Sequence, residues 1–122
     1  MRATNRRAVE WLLKNGYDYI WLKPHHDTRK KSKQEYYYTK QGNFFQTDLY
    51  NLFDGTCFDV KGALTLIQIS TNQYHKEEPY LEFMKGKHGF NILLIKAVDL
   101  KKSGWTIKTK TINESLVVLL NT

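Results

Sequence analysis

Cysteine is nearly absent from this chain, which excludes one whole class of small protein. The single thiol, Cys57, rules out a disulfide framework and a cysteine-rich zinc site. It falls in a stretch that reads as strand, so it is expected as a small core residue rather than a nucleophile. Long apolar runs are missing too. None reaches the length that spans a bilayer, and the N-terminus shows no apolar signal region. The expectation is a soluble, cytoplasmic (intracellular) protein with no membrane partner. Acid is scarce, with 12 Asp and Glu against 19 Lys and Arg and a net charge of +7. Such an excess favours polyanions through long-range attraction and counterion release; solubility alone is the plainer explanation. What the chain holds in quantity is aromatic, including eight Tyr and three Trp. Some of these can stack on bases, although most aromatic side chains are core.

At 122 residues, residues 1–122 form one domain, large enough to bury a core without cross-links. No repeat or linker interrupts it. Thr4 to Asn15 predicts a helix, capped by Thr4 or Asn5, with Val9, Leu12 and Leu13 on one face and Gly16 as its stop. Glu10 lies four residues after Arg6 and four before Lys14. It reads either as part of a solvated ion-pair ladder or as an acid aimed at a site. Tyr17 to Lys23 predicts a strand, ended by Pro24. His25 to Gln46 is polar and basic and is expected as a loop. It contains the charge run Arg29, Lys30, Lys31 and Lys33, followed by Tyr36, Tyr37 and Tyr38, a combination that suits a phosphate backbone and unstacked bases. His25 and His26 are adjacent and would point to opposite faces of a strand, so they and Asp27 do not make a shared metal site.

The stretch Asp48 to Thr71 organises the rest. Leu52 to Val60 and Ala63 to Ser70 predict two strands joined by a turn at Lys61-Gly62. In the second strand Leu64, Leu66, Gln68 and Ser70 share one face, and Ala63, Thr65, Ile67 and Ile69 share the other. Both faces are largely apolar, which predicts a central strand covered on both sides. Asp54 in the first strand and Gln68 in the second are polar interruptions that need a reason. Further on, Thr71 to His88 predicts a loop and then a helix with Pro79 in its first turn. Phe90 to Val98 and Trp105 to Ile112 predict strands. Glu114 to Leu120 is apolar and short, and reads equally as strand or helical turn. The order is helix, strand, hairpin, helix, strand, strand. It predicts an α/β fold, a mixed sheet with one helix docked on each side.

This order, with Asp48-Leu49-Tyr50-Asn51-Leu52-Phe53-Asp54 followed by Ile67-Gln68-Ile69-Ser70-Thr71, resembles the PD-(D/E)xK nuclease superfamily. That superfamily has the restriction-endonuclease-like fold and includes the Holliday junction resolvases. The resemblance spans Thr4 to about Val98 and is nearest to small phage- and archaeal-type members, which fits a viral or mobile-element origin. It implies a metal-dependent endonuclease that hydrolyses phosphodiester bonds in DNA, branched DNA included, and that works as a homodimer. Asp54 matches the metal-binding aspartate and Gln68 the second acidic position, so these two are the implied metal ligands. Ser70 stands where the catalytic lysine is expected. Glu10 resembles a glutamate that some members carry on the first helix, and Asp48 an upstream aspartate. The implied cofactor is Mg²⁺ or Mn²⁺.

Magnesium takes hard oxygen ligands and keeps several waters. Beside a phosphodiester it polarises the phosphoryl oxygen and lowers the pKa of a bound water, while a lysine stabilises developing negative charge. Two departures bear on this chemistry. Gln68 offers a carbonyl oxygen without charge, and Ser70 supplies no cation. Lys61 in the turn or Lys76 after the strand are candidate substitutes for that lysine, and both are expected to join the basic run as nucleic-acid-binding residues. Asp59 is a further potential ligand; its position predicts the opposite side of the strand from Asp54 and a plain turn-flanking role near Lys61. Three functions remain open from the sequence: an active nuclease, a nuclease-fold protein that binds nucleic acid without cutting, and a protein-interaction module.

Overall fold

The computed structural model describes residues 3–23, 36–38, 44–46 and 52–113. Arg29, Lys30, Lys31, Lys33, His25, His26, Asp27, Asp48 and the tail 114–122 lie outside the described residues. The elements run α1 (Ala3–Lys14), β1 (Asp18–Leu22), β2 (Tyr36–Tyr38), β3 (Phe44–Gln46), β4 (Gly55–Phe58), β5 (Leu64–Thr71), α2 (Glu78–Met84), β6 (Phe90–Asp99) and β7 (Trp105–Ile112). Five strands form one mixed sheet in the order β1-β4-β5-β6-β7, parallel only between β5 and β6. β2 and β3 form a separate antiparallel ladder. The α/β class and the mixed sheet flanked by helices are as the sequence predicts.

The alternation along β5 explains the two layers. Thr65, Ile67 and Ile69 point to one face, where Ile67 and Ile69 join Cys57, Leu93 and Ile95 beneath Ala8 and Leu12 of α1. Leu66 points to the other, where it packs with Ile92, Leu94 and Ile112 beneath Tyr80 and Met84 of α2. The parallel β5–β6 pair is buried on both sides, which is why its strands read as nearly continuous apolar runs. On α1 the buried seam is Ala8 and Leu12, and Leu13 is 57% exposed. The predicted face of Val9, Leu12 and Leu13 is therefore rotated. Ala8 and Leu12 stand one helical turn apart, and the small Ala8 lets the helix approach the sheet closely.

Three local expectations are corrected. The basic segment expected as a loop contains the β2–β3 ladder, formed by runs of Tyr and Phe whose β propensity outweighs their polar setting. The turn after β4 is wider than two residues. The Asp59 amide donates to the Ala63 carbonyl (2.9 Å), and Asp59 Oδ1 accepts from the amides of Lys61 (2.9 Å) and Ala63 (2.8 Å). Gly62 closes that loop at φ 81°, the left-handed conformation a three-residue hairpin loop requires. Asp59 thus has the turn role. Finally, β4 begins only at Gly55, so Asp54 lies just outside the ladder. Phe53 turns into the core beside Tyr80 and Phe83, fully buried, and pulls the chain out of strand geometry at that point.

Cys57 is buried among the α1-side residues. Burial first, and the nearby Asp59 second, push its thiol up from 9.0 to about 11. The neutral thiol is thus the folded-state form at physiological pH, and nucleophilic chemistry is disfavoured. Because the folded state holds this proton more tightly than the unfolded chain, the associated stability is complete below pH 9 and is lost as pH rises through about 11. Denaturant midpoints measured across this alkaline range should fall for the native chain. They should fall less steeply for Cys57→Ala, which is less stable at neutral pH but lacks the titrating group.

Candidate functional site

The polar interruptions of the sequence gather where β4 leaves the sheet and β5 continues without it. The Asp54 amide donates to the Ile67 carbonyl (2.8 Å), as a strand residue's would. The next ladder donor on β5, the Ile69 amide, is met instead by Asp54 Oδ2 at 2.7 Å. The carboxylate therefore stands in for a backbone carbonyl at the position where the β4 backbone has turned away. It lies half-buried, and its charge helps to hold the Tyr80 phenol up at about 12, after burial as the larger cause. The Tyr80 hydroxyl donates to the Leu52 carbonyl (3.1 Å), which ties α2 to the segment that presents Asp54.

Gln68 and Ser70 project on the α2 side of β5, beyond the stretch that α2 covers. Gln68 Nε2 lies 3.2 Å from His75 Nε2 and 3.5 Å from the Ile69 carbonyl. Ser70 Oγ donates to the Ile95 carbonyl (3.3 Å). An open cleft of about 470 Å³ runs alongside, lined by Ser70, Thr71, Tyr74, His75 and Lys76 among others. The structure thus brings Gln68, Ser70, His75 and Lys76 to one end of the sheet, with Asp54 bonded to the residue between Gln68 and Ser70.

Glu10 and Lys61 stand apart from this group. Glu10 is exposed, on a helix that packs on the opposite sheet face, and two residues from each of the buried Ala8 and Leu12. That spacing turns it away from the sheet. Lys61 sits in the turn before β5, at the other end of that strand from Ser70.

The residue that sequence reasoning missed is Lys96. In the parallel ladder Ser70 is paired with Lys96. Side-by-side residues of neighbouring strands share a face, so the Lys96 chain lies on the α2 side next to Ser70. Its ammonium sits 4.5 Å from the Tyr74 ring centroid, and the residue is half-buried. The signal was present: Lys96 is the one charged residue within the apolar run Phe90 to Val98.

Among the described residues no group of three or more His, Cys, Asp or Glu side chains comes together to hold a metal. Asp54 and Gln68, the two residues expected to hold a metal, would offer a hard cation one carboxylate, whose Oδ2 already accepts from the Ile69 amide, and one neutral amide oxygen, a sparse set. Among the described residues no helix is long and apolar enough to cross a membrane. Compared with known proteins, the chain matches no family model, no curated protein and no solved structure.

Proposed function

We propose that the chain is a metal-dependent nuclease of the PD-(D/E)xK type, with the restriction-endonuclease-like arrangement, acting on phosphodiester bonds of DNA. The observation that carries this reading is the pairing of Ser70 with Lys96. A cation missing from one strand is available from its neighbour, at the same register and on the same face. Asp54 and Gln68 would hold the magnesium or manganese ion. The chemistry such an ion supplies when bound is polarisation of the phosphoryl oxygen and acidification of a coordinated water. The chain's own contribution is positional. The Ile69 amide fixes the Asp54 carboxylate, His75 orients the Gln68 amide, and Lys96 places positive charge where the phosphate becomes more negative.

Lysine relocation makes a sharp test. With Mn²⁺ and plasmid DNA, Lys96→Ala should lose cleavage by about a hundredfold or more. Adding Ser70→Lys to that variant should return a substantial part of it, because the ammonium re-enters the site from the adjacent strand. Unaltered cleavage in Lys96→Ala would remove Lys96 from the chemistry. A second reading, binding of nucleic acid without cleavage, is favoured by the sparse ligand set. It predicts salt-sensitive binding in EDTA and no nicking at any divalent-ion concentration.

A further inference from the structure

Beyond α2, the α2-side face of β6 and β7 changes from apolar to cationic. Ile92 pairs with Ile112 and lies under the helix, whereas Lys96 pairs with Lys108, and Lys110 stands two residues from each of Ile112 and Lys108 on β7. Cross-strand partners share a face at about 5 Å, and residues two apart on a strand share it at about 7 Å. Lys96, Lys108 and Lys110 therefore form one patch. The Nζ atoms of Lys96 and Lys110 both approach the Tyr74 ring, at 4.5 and 4.6 Å from its centroid. Among the described residues the carboxylate that meets this patch is Glu77, whose Oε1 is 2.9 Å from Lys110 Nζ. Both partners of that pair are substantially exposed, at 47% and 43%, so the contact is weak and readily exchanged.

We infer that Lys108 and Lys110, continued by Lys96, form a track for the phosphate backbone of a nucleic-acid strand, and that Glu77 competes with phosphate for Lys110. The inference rests on the nuclease reading for its direction, since the track leads toward Ser70 and Gln68. Three ammonium groups concentrated on an open sheet face, in a chain of net charge +7, match a polymer that carries one charge per about 3.4 Å of each strand. The Tyr74 ring tethers two of the cations by cation–π attraction. They are thereby held at the surface at little further entropic cost on binding.

The test is fluorescence anisotropy with an end-labelled DNA oligonucleotide, single-stranded and duplex, in EDTA across a salt series. Lys108→Ala and Lys110→Ala should each weaken binding and shallow the log K against log salt slope by about 0.7 to 0.9. Glu77→Gln should tighten binding several-fold, and only when Lys110 is present. Lys14→Ala, the same charge change on α1 at the opposite sheet face, should leave the slope unaltered. Equal loss in Lys14→Ala and Lys108→Ala would reduce the effect to net charge and overturn the track. So would undiminished binding in the Lys108→Ala/Lys110→Ala double variant, or preferential binding of polyglutamate. The two readings fail separately. Track-dependent binding without metal-dependent cleavage defeats the nuclease, and cleavage with an unaltered slope in both lysine variants defeats the track.

Discussion

Asp54→Asn should fold like the native chain and yet lose metal-dependent cleavage, whereas Asp54→Ala should lose both stability and cleavage. The distinction follows from one observed task of this carboxylate and one proposed for it. Oδ2 accepts the Ile69 amide at 2.7 Å, replacing a ladder partner that β4 no longer supplies. Alanine leaves that half-buried donor unmet, and a lost hydrogen bond to a charged group costs about 1.5–3 kcal/mol. Asparagine retains an accepting oxygen of the same reach and leaves no donor unmet, so it should keep about half of that energy, the share a neutral acceptor supplies. What asparagine cannot retain is the negative charge. With Gln68 already neutral, a metal would then find no anionic ligand among the residues assigned to it. Loss of the several kcal/mol a metal contributes corresponds to a decrease in cleavage of at least about a hundredfold. Urea denaturation and plasmid nicking on the same three proteins separate the two effects. Cleavage persisting in the asparagine variant would remove Asp54 from the site.

The second large effect should come from Gly55→Ala. A methyl group at this position would run into the backbone carbonyl of Trp21, and it would also press on a Leu22 side-chain carbon at 2.8 Å. A flexible side chain can yield, but a strand backbone cannot do so without parting β1 from β4. Overpacking a core costs about 1–3 kcal/mol, and a clash with main chain belongs at the upper end. The damage should spread to the site, because the Lys23 amide donates to the Asp54 carbonyl (2.8 Å) one residue away. Gly62→Ala is the useful contrast. Gly62 has open space around it, so it bears only the cost of a positive φ, about 1 kcal/mol. A Gly55→Ala chain no less stable than Gly62→Ala would contradict the close β1–β4 approach.

The layers of the fold were legible because they rest on periodicity. Alternation over Leu64 to Ser70 gave both faces of β5, and the unbroken apolar run of β6 marked the strand beside it. Asp54 and Gln68 stood out for the same reason, as polar residues in apolar company. Lys96 interrupts its strand in the same manner, but it reaches Ser70 across the β5–β6 pairing, whereas Lys61 and Lys76 are the lysines near Ser70 along the chain. Pairing between β5 and β6 is a tertiary fact separated by a helix, and no local pattern encodes its register. The departure of Asp54 from the ladder was equally hidden. It depends on Phe53 swinging into a pocket made by Tyr80 and Phe83 of α2, residues more than twenty positions away. The β2–β3 ladder was obscured by its basic flanks, where composition pointed to a loop while the aromatic runs favoured pairing.

The most direct test of the nuclease assignment is nicking of supercoiled plasmid and of a branched DNA by the native chain, with Mn²⁺ and with EDTA, beside Asp54→Asn. Nicking by the native chain is expected with the metal and not with EDTA, and none above background is expected in the variant. Absence of metal-dependent nicking by the native chain, or nicking that Asp54→Asn performs equally well, would contradict that assignment.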